Sequence, residues 1–143
     1  MSNISWYESS INIAKVRTYS SNIEANPCFQ MLRRSLEIVA KETGGKLFNS
    51  VTDSIGRATD CDLAVTFPTF TRGIGVKVDR NTGQVAFLYD QSGGYEQLAH
   101  KITGEITQNY VSIALISAMK SLGYKVEEEN DEQRETVRLV GSI

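Results

Sequence analysis

Apolar residues recur at helical spacing over one stretch longer than any other in the chain. Leu98, Ile102, Ile106, Tyr110, Ile113 and Ile116 follow one another at intervals of four, four, four, three and three, which lines one face of an α-helix. Gly93 and Gly94 break whatever precedes it, Gly123 stands where a left-handed cap would end it, and no Pro intervenes. The spacing predicts a helix of about seven turns. A second helix is expected from Asn26-Pro27, with Asn as the cap and Pro at the first helical position, where a missing amide hydrogen costs nothing. Phe29, Leu32, Leu36 and Val39 give its apolar face, and Gly44-Gly45 end it.

Period-two alternation predicts the strands. Ser10 to Tyr19 is expected as the first, with Ile11 and Ile13 on one side and Ala14 and Val16 on the other; the phase shift near Ala14 reads as a bulge. Lys46 to Val51 forms a short strand and Thr52 to Thr59 a polar, turn-rich loop. Cys61, Leu63, Val65 and Phe67 alternate with Asp62, Ala64 and Thr66 until Pro68 stops the run. Ile74, Val76 and Val78 give one face of a strand, Val85, Phe87 and Tyr89 one face of the next, and Asp79 to Gly83 the hairpin loop between them. Beyond the long helix, Tyr124 and Val126 start a strand that runs out into an acidic loop, and Val137 to Val140 closes the chain. The order β-α-(β)-β-β-β-α-β-β predicts a single α+β domain over residues 1–143. Its form is a two-layer sandwich, an antiparallel sheet with two helices on one face, because that arrangement buries both helical stripes.

Composition narrows the class. At 143 residues, with 41% hydrophobic and 22% charged residues and two prolines, the chain suits a globular protein with one core. No stretch approaches the roughly 20 apolar residues needed to span a bilayer, so the default compartment is the cytoplasm, with no membrane partner. The formal net charge is −2, and the C-terminal third carries the excess: residues 91–143 hold five Lys or Arg against eight acids. Nucleic-acid binders show the opposite balance, since phosphate neutralisation needs clustered cations. Cys28 and Cys61 have no companion His or Cys nearby, which suggests neither a disulfide nor a zinc site but two reduced core residues.

Candidate chemistry is sparse. His100, the only histidine, lies two residues from the core position Ile102, a surface phase on the helix. Asp60 and Asp62 bracket Cys61, and alternation puts both carboxylates on the solvent face of their strand. Gly93-Gly94 precedes a helix N-terminus, where free amides hold anions, yet Glu96 in the first turn already supplies a carboxylate to the dipole. No catalytic residue, cofactor or metal ligand is expected. Tyr110 sits at the edge of the apolar stripe, where its ring packs and its hydroxyl reaches a polar partner; Gln108 lies about 160° around the helix from it, on the surface. Glu127, Glu128, Glu129, Asp131 and Glu132 form an acidic run that would attract a basic partner.

The second half carries a family pattern. "IGVKVDRNTGQVAFLYD", then "ITQNYVSIALISAMKSLGYKVEEEN", then "VRLVG" resembles the hypothetical chloroplast reading frame thirty-five family of uncharacterised proteins from cyanobacteria and algal plastids. The family pattern falls on Asp90, Gln108, Tyr110, Gly123, Tyr124, Val126, Arg138, Leu139 and Val140, in that order. The likeness covers about residues 62–141; the first 60 residues depart from it. It carries no established activity, and implies an accessory component of an AAA-type ATPase system.

The leading expectation is a non-catalytic protein-interaction module, an adaptor or accessory subunit. Its candidate binding residues are Glu127, Glu128, Glu129, Gln108 and Tyr110, its partner is a protein, and a homo-oligomer stays open. The alternative is a small-molecule or anion binding protein. A module would expose an apolar patch of several hundred Å² or a flat edge strand; a ligand binder would show a pocket of about 300 Å³ or more with converging polar groups.

Overall fold

In this computed structural model, residues 4–127 and 140–142 are described. Five strands form one antiparallel sheet: β1 (Ser5–Asn12), β2 (Lys46–Thr52), β3 (Ala58–Phe67), β4 (Phe70–Val78) and β5 (Gln84–Tyr89), in the order β1-β5-β4-β3-β2. Two helices, α1 (Pro27–Thr43) and α2 (Glu96–Ser121), cover one face. The expected α+β architecture is the observed one.

Each helix follows from its sequence. The Asn26 carboxamide accepts hydrogen bonds from the amides of Cys28 (2.8 Å) and Phe29 (3.3 Å), and its nitrogen donates to the Ala14 carbonyl (2.9 Å), so one buried residue both starts α1 and fixes the chain before it. Gly44, at φ 71°, ends α1 with its amide on the Ala40 carbonyl. Phe29, Leu32, Leu36 and Val39 from α1 meet Ile102, Ile106 and Tyr110 from α2 over Leu63, Val65, Ile74, Val76, Val85 and Phe87 of the sheet. These residues are the main core.

Three readings of the strands need correction. The first strand is Ser5–Asn12, not Ser10 to Tyr19. Its polar residues conceal it, and the phase shift near Ala14 marks its end: Lys15 takes a left-handed φ of 55° and the chain turns, although Ile11, Ile13 and Val16 are all buried. The second correction concerns Cys61. Phe48 pairs with Ala64 and Ser50 with Asp60, so Asn49 of β2 faces Cys61, Asp62 and Leu63 of β3, and regular alternation fails there. Cys61 therefore joins Val51, Ala64 and Leu88 in a small second cluster, apart from Leu63, Val65 and Phe67. The third is Asp62, which is not solvated but nearly buried and paired, as described below.

That irregularity carries the β2–β3 hairpin across the sheet. β2 touches β4 and β5 although neither is its ladder neighbour, and the Ser54 amide beyond β2 donates to the Asp90 carboxylate beyond β5, at 3.0 Å. Val51 and Cys61 close over Gly75, where a methyl group would lie 2.7 Å from the Cys61 sulfur. A short pair, β6 (Lys125–Glu127) with β7 (Val140–Ser142), follows α2. Of the last predicted strand, Val137 to Leu139 lie outside the described residues.

Candidate interaction surface

The charged side chains near the sheet ends hold one another. Asp90 is buried; its carboxylate accepts from the amides of Ser54 and Ser92, and Arg72 stands 3.8 Å away. Arg72 in turn donates to the Ser92 carbonyl at 2.7 Å and lies over the Tyr95 ring. Burial works to raise the Asp90 carboxyl, but the hydrogen bonds from Ser92 and Ser54 and the Arg72 charge outweigh it and hold its pKa below the ordinary Asp value. Asp62 receives Arg80 on both oxygens, at 3.0 and 2.8 Å, and also the Val78 amide at 2.7 Å, so a carboxylate takes up a backbone donor of β4. Asp53 accepts from Arg57 Nε at 2.7 Å and from the amides of Ile55 and Arg57 across the hairpin tip. These groups fasten loops to strands.

The remaining reactive types are quenched or scattered. Burial above all, with Asp62 alongside, pushes the Cys61 thiol up to about 11, which leaves almost no thiolate at neutral pH. Among the described residues no three His, Cys, Asp or Glu side chains gather as a metal site requires. His100 is exposed, on the wall of a groove of about 540 Å³ between β1 and α2 that Tyr7, Tyr89, Gly104 and Gln108 also line. Tyr7 and Tyr89 stack there with centroids 4.5 Å apart. The Ser9 hydroxyl in the same groove already donates to the Val85 carbonyl at 2.6 Å.

Exposed apolar side chains gather on α2, whereas Trp6, Phe48 and Ile55 are exposed on β1, on β2 and at the hairpin tip. Val111 is 54% exposed, Leu115 48% and Leu122, at the C-cap, 76%; Ala118 between them is exposed too. Spacings of four, three and four put these residues on one line, about 160° around the helix from the buried Ile102, Ile106 and Tyr110. Apolar side chains thus stand on both sides of the C-terminal half of α2, and one of the two stripes meets solvent. Toward the N-terminus the exposed line continues through Gln108 and Gly104, so the stripe runs into the β1–α2 groove.

The candidate residues fall apart accordingly. Tyr110 is a core residue: burial first, then the nearby Cys28 thiol, push its pKa up to about 12. Gln108 is exposed in the groove, in line with the apolar stripe. Glu127 is the last residue of β6, and Glu128 and Glu129 lie outside the described residues. What the sequence reading missed is Val111, Leu115, Ala118 and Leu122. Their signal was present, a second stripe on the helix already found, hidden because the core stripe accounts for the helix alone. No helix among the described residues is long and apolar enough to cross a membrane. No protein-family model matches the chain, and neither a curated protein nor a solved structure matches it.

Proposed function

We propose that this protein is a non-catalytic interaction module, an accessory subunit that docks a partner helix along the outer face of α2. The observation that supports the reading is the exposed line of Val111, Leu115, Ala118 and Leu122. A helix offering a matching apolar seam covers such a line by the ordinary physics of helix pairing. An exposed apolar surface of roughly 300 Å² is no larger than the biggest patch of an ordinary monomer, so its regular spacing along one helix face, not its area, supports the reading. The setting implied by the family resemblance, an AAA-type ATPase system, is where such a subunit would serve. The alternative, a small-molecule binder, would sit in an open cleft, either the β1–α2 groove, whose Ser9 hydroxyl is already engaged, or the cleft of about 530 Å³ beside Cys61, where Arg80 already holds Asp62.

Site-specific photo-crosslinking tests the reading. A photoreactive residue at position 115 should give a discrete protein adduct in the native host, lost when Leu122→Lys is added; the same probe at Lys77, on the sheet, should give none. Equal labelling from both positions sinks the proposal.

A further inference from the structure

We infer that the helix covering this face is α2 of a second copy of the same chain, running antiparallel. The inference rests on the reading of α2 as a docking surface and names its occupant.

The stripe is self-complementary. Residues 111, 115, 118 and 122 follow heptad core spacing, which reads the same in both directions. Two copies related by a two-fold axis between residues 116 and 117 place Val111 against Leu122 and Leu115 against Ala118. Each large side chain on that line then meets a smaller one, and the helix dipoles oppose. The flanks agree with this pairing: Ser112, Ala114, Met119 and Ser121, the residues beside the seam, are all uncharged. Across that axis Ser112 faces Met119 and Ala114 faces Ser121 of the other copy, so no charge is desolvated beside the seam.

Area sets the strength. Roughly 300 Å² from each copy is well short of the about 800 Å² per partner of a stable complex. The dimer is therefore weak and reversible, and is sought at high protein concentration.

Sedimentation equilibrium of the purified full chain from about 10 μM to 1 mM tests this. The weight-average mass should climb from 15.9 kDa toward twice that value, and Leu115→Lys should hold it at one chain mass throughout. Leu122→Lys, at the most exposed position of the line, should do the same; urea midpoints matching wild type show that both variants fold. Orientation is read from Ser112→Glu/Met119→Lys, which sets Glu against Lys only across an antiparallel seam and should tighten the dimer several-fold. Ser112→Lys/Met119→Lys should weaken it. A mass of one chain at every concentration overturns the inference, as does equal dimerisation by wild type and Leu115→Lys. A monomeric purified chain whose position 115 still crosslinks to another protein overturns self-pairing and leaves the docking reading intact. Absence of both signals ends both.

Discussion

Gly75 shows how tightly single residues are set in the second cluster. It sits in β4 with Ala64 and Leu88 as its ladder neighbours, and a methyl group there would lie 2.7 Å from Cys61 Sγ and 3.1 Å from Val51 Cγ1. Both neighbours are buried, so neither has room to yield. Gly75→Ala should destabilise the fold by about 2 kcal/mol, the usual scale of overpacking. In a Cys61→Ala background the sulfur is gone, and the same change should cost less than half as much. Urea midpoints of the four proteins close the cycle; equal costs in the two backgrounds would show that the contact is not what forbids a side chain at 75. The sequence indicates a strand here but not this constraint. Regular alternation assigns Cys61 to the face of Leu63 and Val65, and only the failure of that alternation between Asp60 and Ala64 brings its sulfur over β4.

At the scale of elements, α2 has two apolar sides with opposite consequences. Ile106 is fully buried in the main core, so Ile106→Asp places an unpaired carboxylate there and should unfold the protein, a loss of at least about 4 kcal/mol. Leu115→Lys adds a charge to the same helix and should leave the thermal midpoint within a few degrees, since surface changes stay near 0.5 kcal/mol. A midpoint that collapses in both would place Leu115 in the core. Both helices were legible because caps and core spacing coincide: Asn26-Pro27 and Gly44 bound α1, and glycines flank α2. β4 and β5 were legible because Ile74, Val76 and Val78 on one and Val85, Phe87 and Tyr89 on the other recur at every second position. The first strand was not, because β1 is an edge strand whose Trp6, Glu8, Ser10 and Asn12 alternate with residues nearly as polar. Of the two α2 residues that the sequence singled out, Gln108 lies on the exposed line, whereas Tyr110 does what a stripe residue does and enters the core.

Over the whole molecule, buried or paired carboxylates join elements that the apolar cores do not. Asp90 ties the hairpin tip to the end of β5 and, through Arg72, to the start of α2. Its folded pKa lies below the ordinary 3.8, so the unfolded chain binds its proton more readily. The stabilisation is therefore complete above about pH 5 and declines as the pH falls through 3.8 toward the folded value. Asp90→Asn keeps the shape but removes the charge that Arg72 faces and an acceptor from the part-buried Ser54 and Ser92 amide contacts. It should cost roughly 2 kcal/mol at pH 7, the scale of leaving part-buried donors and the Arg72 charge underpaired. At pH 2.5 the cost should be smaller, because wild type has by then lost part of the same stabilisation. Urea unfolding of both proteins at pH 7, 5 and 2.5 measures this. If the gap between wild type and Asp90→Asn is as wide at pH 2.5 as at pH 7, the ionised carboxylate is not what holds the hairpin down, and shape alone does.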